Sequence, residues 1–198
     1  MSLNINGKLK IPVSLLLEVG FLYEKESFVF PSQYDAHPEK IILNGGHIVP
    51  GTTWWENQSL YGNTSVYIFD SVIQALSYIT LKKINLDAID MVAIGNSSLI
   101  LKEMDLREII KDKKIILAFP NTTIGKINET LFAFEYRKKQ LEISLNGDFI
   151  LCKRNGIEKR IAYEKFSFNR LMKEFGMLLK NIRTTKPSSP HKTFYEML

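Results

Sequence analysis

The pattern of apolar and polar positions changes near residue 66. Before it, residues 11–20 (IPVSLLLEVG) carry an apolar stripe between Pro12 and Gly20, which predicts a short helix. Residues 21–31 (FLYEKESFVFP) alternate apolar and polar positions around a charged middle, which predicts a hairpin. A turn-rich connection then follows over residues 43–65. The first third of the chain therefore predicts a helix and a hairpin followed by a long loop.

After residue 66, a short apolar run is followed three times by a segment with helical spacing. The pairs are residues 66–69 with 70–83, 91–95 with 97–112, and 114–119 with 124–140. Alternation of this kind indicates a parallel sheet joined by right-handed crossovers. The predicted fold class is α/β, with a mostly parallel sheet and helices on both faces.

The rest of the chain predicts smaller elements. Residues 141–145 fit another strand, and Asn155-Gly156 between two extended runs is typical of a hairpin with a type I′ turn. Residues 165–183 fit a basic amphipathic helix that breaks near Gly176. We expect three parts: residues 1–63 packed on the core, an α/β core with the C-terminal hairpin and helix over 64–183, and a flexible tail over 184–198.

Composition narrows the class of protein. The chain has 198 residues, of which 45% are hydrophobic, enough for one domain with a buried core. Its single cysteine, Cys152, excludes an internal disulfide framework and a cysteine-based zinc site. The sequence has neither the apolar run of a signal peptide nor the roughly 18 apolar residues of a membrane span. These features predict a cytoplasmic protein with no membrane partner.

Charge is unevenly distributed. Residues 1–125 carry a net charge of −2, and residues 126–198 carry +7. Such asymmetry indicates an acidic partner such as nucleic acid, or alternatively a solvated lysine-rich surface.

Candidate chemistry is expected where the parallel strands end, because ligands of open parallel sheets bind beyond the carboxyl ends of the strands. Asp70 follows the first strand, residues 95–98 follow the second, and residues 120–123 follow the third. Only Asp70 among them can ionise. One carboxylate makes a poor Mg²⁺ site, and Asp70 could equally cap the helix that starts at Ser71. Ser71, Ser97 and Ser98 have no histidine nearby in sequence and are interpreted as helix-start or turn residues.

Three quoted stretches resemble the Toprim domain of bacterial primases, topoisomerases and related nucleases. They are VYIFDSVIQALSYITLKK, MVAIGNSSLILK and IILAFPNTTIGK, within residues 64–140. The region before them is similar to that of primase-like proteins of plasmids and conjugative elements. The resemblance implies a glutamate after the first strand and a magnesium-binding Asp-x-Asp pair after the third. Here Asp70 stands at the glutamate position, and Pro120 and Thr122 replace the two aspartates.

Because Asn121 and Thr122 offer only neutral oxygens, the turn is predicted to have lost its metal. No cofactor is expected, with Mg²⁺ only weakly supported at Asp70. Asp70, Pro120, Asn121 and Thr122 are thus interpreted as positions of a degenerate site, and no catalytic residue is assigned.

Basic and aromatic residues supply the remaining functional signal. The residues predicted to contact nucleic acid are Arg137, Lys138, Lys139, Lys153, Arg154, Lys159, Arg160, Arg170 and Lys173, with Lys180 and Arg183 on the same helix pattern. Trp54, Trp55 and Tyr61 could stack on unpaired bases, or anchor the long loop into the core.

Three functions are compatible with these features. The first is a catalytically inactive Toprim-like protein of a mobile element, which binds nucleic acid or a replication or mobilisation partner. The second is an active metal-dependent nuclease or primase-like enzyme that uses Asp70 with relocated acids such as Glu56 or Asp148. The third is a protein-interaction scaffold without nucleic-acid binding.

Overall fold

The computed structural model of the chain describes most of its residues. They are 10–31, 37–43, 47–49, 51, 55–57, 63–95 and 106–198. Trp54, Tyr61, Ser97, Ser98 and the first part of the predicted helix over 97–112 lie outside this set.

Within the described residues there are five α-helices, twelve strands and three short 3-10 turns. The helices are α1 (Val13–Glu18), α2 (Val72–Lys82), α3 (Leu106–Ile110), α4 (Thr123–Tyr136) and α5 (Phe168–Glu174). The strands are β1 (Leu22–Glu24), β2 (Ser27–Phe30), β3 (Glu39–Ile42), β4 (His47–Val49), β5 (Trp55–Glu56), β6 (Ser65–Phe69), β7 (Asp90–Ala93), β8 (Lys114–Leu117), β9 (Glu142–Asn146), β10 (Phe149–Arg154), β11 (Ile157–Ala162) and β12 (Ile182–Thr184). The 3-10 turns are Leu86–Ala88, Tyr163–Lys165 and Tyr195–Met197.

The strands form three sheets, and this corrects the predicted fold class. One sheet has the order β1-β2-β3-β4 and another β11-β10-β9, and both are antiparallel throughout. The third has the order β12-β8-β6-β7-β5, in which β5 runs antiparallel to β7 and the other pairs are parallel. The prediction of a mostly parallel, Toprim-like sheet was wrong, because most of the twelve strands lie in antiparallel sheets.

The physical reason for the difference is the number of tight turns. Lys25 and Glu26, between β1 and β2, both have positive φ, as do Asn155 and Gly156 between β10 and β11. Two consecutive residues of this kind join neighbouring strands antiparallel. The hairpin predicted at Asn155-Gly156 is therefore confirmed, and a two-residue turn at Gly147 and Asp148 likewise joins β9 to β10 antiparallel.

The five-stranded sheet separates two apolar cores. Along β6, Val66 and Ile68 face a core shared with α4, α5 and the β9–β11 sheet. Phe69 faces the opposite core, which includes α2, α1 and the β1–β4 sheet. Alternation along a strand places successive side chains on opposite faces, so β6 contributes to both cores.

The predicted basic helix over residues 165–183 is shorter than expected. Helix α5 ends at Glu174, and Gly176 follows with a φ of +58°. Met177 N donates to Met172 O over 2.8 Å and Gly176 N to Lys173 O over 3.1 Å, which is the Schellman pattern of a helix end. The chain can then enter β12, which pairs in parallel with β8. The sequence missed β12 because its three residues sit inside a helical spacing of apolar positions.

Residues 184–198, which the composition predicted to be a flexible tail, pack on the core. Phe194 is 3% exposed and contacts the rings of Phe69 and Tyr78, with centroids 6.3 and 5.2 Å away. Among the described helices, none combines the length and the apolar character needed to cross a membrane.

Candidate functional site

Asp70 lies at the carboxyl end of β6 and is partly buried. Its Oδ1 atom is buried and has no hydrogen-bond partner among the described residues. Burial raises the pKa of Asp70 to about 7, although backbone hydrogen bonds and the positive charge of Lys186 act in the opposite direction. A carboxyl group whose pKa is raised to near neutral pH is a typical functional-site signal, but structural networks of charged groups produce the same signal.

The helix that follows Asp70 is capped by other residues. Ser71 is the N-cap of α2, and its Oγ accepts from Gln74 N over 3.4 Å. The carboxyl oxygens of Glu39, on β3, accept from Val72 N over 3.0 Å and from Ile73 N over 2.8 Å. Burial raises the pKa of Glu39 to about 8, and the charge of Asp70 adds to the increase. The interpretation of Asp70 as the helix cap was therefore wrong, since Ser71 and Glu39 together satisfy the first turn.

The turn after β8 has a structural role. Thr122 caps α4, with its Oγ accepting from Gly125 N over 3.0 Å. Asn121 N donates to Lys192 O over 2.6 Å. A Cβ atom on Gly125 would lie 2.5 Å from Pro120 O, so only glycine fits this close approach. Pro120, Asn121 and Thr122 thus shape and cap the start of α4.

A lysine occupies the space in front of this turn. Lys186 Nζ donates to Glu129 Oε2, on α4, over 2.5 Å and to Phe119 O over 3.2 Å. Burial raises the pKa of Glu129 to about 7 and lowers that of Lys186, while the attraction between the two side chains opposes both changes. Lys186 also attracts Asp70. The carboxyl ends of β6 and β8 are called here the carboxyl edge. The positive charge next to the two carboxyl groups at this edge is therefore that of Lys186.

Residues 185–198, called here the cover segment, hold Lys186 in place. Thr185 N donates to Leu117 O over 2.8 Å, so the segment still contacts the end of β8 as the chain leaves β12. Phe194 N donates to Gln74 Oε1, on α2, over 2.8 Å. The contact between Asn121 and Lys192 lies between these two anchors along the segment. The cover segment therefore spans the carboxyl edge from β8 to α2.

The residues at this edge do not fit a magnesium ion. Mg²⁺ is held through carboxylates and keeps an octahedral shell of oxygens. At this edge Glu129 already accepts a hydrogen bond from the Lys186 ammonium group, which also attracts Asp70, and the turn adds only a capping threonine and a proline. Across the described residues, no group of three or more His, Cys, Asp and Glu side chains is placed to hold a metal ion. Of the relocated acids considered from the sequence, Glu56 lies on the edge strand β5 and Asp148 in the turn between β9 and β10.

Basic residues gather instead at the amino end of the parallel strands. Residues 107–114 precede and begin β8, residues 135–139 end α4, and residues 180–181 precede β12. These three segments carry eight Lys or Arg residues against three Asp or Glu residues. They are called here the basic end.

Direct contacts join the three segments of the basic end. Arg107 Nη2 donates to Glu135 O over 2.7 Å, and Arg137 Nη2 donates to Lys180 O. Tyr136 OH donates to Ile110 O over 3.3 Å, and the Arg137 guanidinium lies 5.2 Å from the centre of the Tyr136 ring. Arg137, Lys138 and Lys139, predicted from the sequence, are thus brought together with Lys111, Lys114 and Lys180.

Three other residues predicted to bind phosphate have acidic or aromatic side chains as neighbours. Lys153 lies opposite Glu142 on β9 and Glu158 on β11. The Arg160 guanidinium lies 4.2 Å from the centre of the Phe149 ring, and Arg170 forms an ion pair with Glu174 over 3.2 Å. The cross-strand neighbours of Lys153 and the helical pair of Arg170 with Glu174 turn basic stretches of sequence into surfaces of mixed charge.

For three further residues predicted to contact nucleic acid, the structure neither favours nor opposes that role. Arg154 closes the turn of the hairpin, with its Nε atom buried and without a hydrogen-bond partner in the described structure. Lys159 is half-buried on β11, and Lys173 is exposed on α5. Trp55 is 8% exposed in the core, which favours its role as an anchor of the loop.

Glu39, Glu129 and Lys186 were not found by the sequence analysis. Each is a single charged residue in an otherwise ordinary helix, strand or tail, and none belongs to a motif. The one available signal was the position of Glu129 in α4, where apolar residues flank it on the side that faces the core.

Comparison of the chain with protein-family models, with curated proteins and with solved structures finds no match. The resemblance to Toprim domains is not tested by these comparisons and stays a prediction from three stretches of sequence.

Proposed function

We propose that the protein is a catalytically inactive accessory protein that binds the phosphate backbone of nucleic acid through its basic end. The observation that carries the proposal is the convergence of residues 107–114, 135–139 and 180–181, which are distant in sequence and bring together eight basic residues. One of them, Lys113, forms an ion pair with the buried Asp90 over 2.5 Å, so seven others remain to contribute to the surface. Lysine and arginine side chains on one surface are the electrostatic footprint of such a protein.

The covered carboxyl edge supports the inactive part of the proposal. A nuclease or primase-like reaction needs a metal-bound phosphate next to its acids. Here Lys186 contacts Glu129 and attracts Asp70, while the cover segment lies over the same edge. A cytoplasmic location and a replication or mobilisation partner rest on the sequence alone. We include both in the proposal.

A fluorescence-anisotropy titration tests the proposal. Labelled single-stranded and double-stranded oligonucleotides are titrated with the protein at several salt concentrations, with and without magnesium. We expect binding that weakens steeply with salt and does not depend on magnesium, because released counterions dominate affinity for phosphates.

Two double variants, each of which removes two positive charges, test whether nucleic acid binds at the basic end. Lys138→Gln/Lys139→Gln removes two cations from the basic end, and Lys165→Gln/Lys192→Gln removes two exposed cations that do not belong to it. The first variant should lower the salt slope of binding by about 1.5 to 2, and the second should leave it near the wild-type value. Equal losses in both variants would argue for nonspecific attraction, and no binding at low salt would favour a protein-interaction scaffold.

A further inference from the structure

The two outer strands of the β11-β10-β9 sheet differ in how they are protected. Strand β11 carries Glu158, Lys159 and Arg160 among its six residues. Strand β9, with the sequence EISLN, carries one charge, Glu142, at its first position and contains neither lysine nor proline. Proteins usually prevent pairing between sheet edges with such residues, so β9 is the less protected edge.

The backbone of β9 is oriented to accept another strand. Asn146 pairs with Phe149 across the two-residue loop at Gly147 and Asp148, and such closing pairs exchange both backbone bonds. Because bonding alternates along an antiparallel pair, the backbone groups of Ser144 also face β10. Those of Ile143 and Leu145 face outward, where the described structure places no neighbouring strand.

An apolar side chain is left uncovered beside this edge. Leu145 stands in a row with Ile150 and Ile161 across the sheet. Ile150 and Ile161 are 0% and 2% exposed, whereas Leu145 is 63% exposed. The buried row therefore ends on an exposed leucine at the edge strand.

We propose that β9 pairs antiparallel with β9 of a second copy of this chain, with the two-fold axis at Ser144. In this register Ile143 lies opposite Leu145 of the second copy, and both outward-facing backbone positions form hydrogen bonds. Glu142 lies opposite Asn146 of the second copy, so no like charges meet. The result is a continuous six-stranded sheet that covers both Leu145 side chains.

The interface is small. A pair of five-residue strands buries less than the roughly 1,200 Å² of a stable standard interface. The dimer should therefore form and dissociate with protein concentration.

Sedimentation velocity over a range of protein concentrations provides the first test. The wild-type weight-average sedimentation coefficient should rise with concentration towards that of a dimer. Leu145→Lys places a charge in the proposed interface and should remove the rise, whereas Leu178→Lys, at a leucine that is 79% exposed outside this sheet, should retain it. Circular dichroism verifies that both variants fold. A wild-type monomer at every concentration, or a dimer that Leu145→Lys leaves intact, overturns the proposal.

Disulfide trapping tests the register. Residues at a non-hydrogen-bonded antiparallel pair have Cα atoms about 4.5 Å apart, which is within the range of a disulfide. Ser144→Cys should therefore form a cross-linked dimer under mild oxidation. Glu142→Cys should not, because its two copies would lie about 13 Å apart along the strands. The native Cys152 is buried and adds no background. Equal cross-linking of both variants, or none in Ser144→Cys, contradicts the proposed pairing.

Discussion

The two ends of the parallel strands have opposite properties. At the carboxyl end, Glu129 is buried and Asp70 is partly buried, and Lys186 supplies a positive charge beneath the cover segment. At the amino end, Lys111, Lys138 and Lys180 are exposed, and the basic residues of the three segments outnumber the acids of the same segments. In the first arrangement the opposite charges attract one another within the protein, and the second leaves charge available to a partner. The usual location of chemistry in a parallel sheet is thus closed in this protein, and the opposite end is open.

The largest expected effect comes from removing the buried cation. Lys186→Met leaves Glu129 and Asp70 without their positive neighbour, and breaking a buried pair from one side costs about 3–5 kcal/mol of unfolding free energy. Chemical denaturation at pH 8 measures the loss, which should be smaller at pH 5 because the acids then take up protons. The exposed Lys192→Met serves as the control. A loss below about 1 kcal/mol at pH 8 would show that the cluster is not stabilising.

A smaller effect is expected from filling the close approach in the turn after β8. Gly125→Ala places a Cβ atom 2.5 Å from Pro120 O, so the turn must shift. Overpacking of this kind costs about 1–3 kcal/mol, partly offset by the better helix propensity of alanine. Thermal and chemical unfolding measure the change. Ile124→Ala, at a neighbouring side chain that is 64% exposed, should have little effect.

The pH dependence of stability should identify Glu39. Its pKa is raised from 4.5 to about 8, so the folded state holds this proton more tightly than the unfolded state. The stabilisation is complete below about pH 4.5 and declines as the pH rises towards 8. Glu39→Gln removes one acceptor of the α2 cap, which costs about 1–2 kcal/mol at pH 5.

The difference between wild type and Glu39→Gln should then narrow as the pH rises, because only the wild type loses stability through this group. Glu24→Gln, on an exposed strand, is the matched control and should follow the wild-type curve. Parallel curves for wild type and Glu39→Gln would contradict the proposed titration.

The smallest effect on stability is expected at the basic end. Lys138→Gln/Lys139→Gln should change the unfolding free energy by less than about 0.5 kcal/mol, because surface substitutions remove little packing. The same denaturation experiment measures this change. A loss of unfolding free energy as large as that of Lys186→Met would contradict the proposed difference between the two ends of the strands.

The sequence predicted local elements better than their assembly. The hairpin at Asn155-Gly156 was predictable because both residues favour positive φ, and the strand–helix units because their apolar spacing is clear. The sheet pairings were not predictable, because β5 and β12 are two and three residues long and carry little periodicity. Such short strands are fixed by their neighbours rather than by their own propensity.

The candidate sites were predicted only in part. The sequence identified Asp70 and the stretch Arg137–Lys139, since one follows a strand and the other is a run of charge. It could not reveal that Lys186 meets Glu129 across 57 residues, because that contact depends on the parallel pairing of β12 with β8. It also overestimated the hairpin as a basic surface, because opposing glutamates become visible only with the strand register.

The late position of β12 in the chain has a consequence for biosynthesis. Its partner strand, β8, ends at Leu117, and β12 begins at Ile182, so a ribosome translates more than sixty further residues before the pair can form. At about 5–20 residues per second, the carboxyl edge then stays uncovered for several seconds, with Glu129 and Asp70 open to water. Because the hairpins, α2 and α4 are synthesised earlier, we expect the cover segment to close the sheet as a late event of folding.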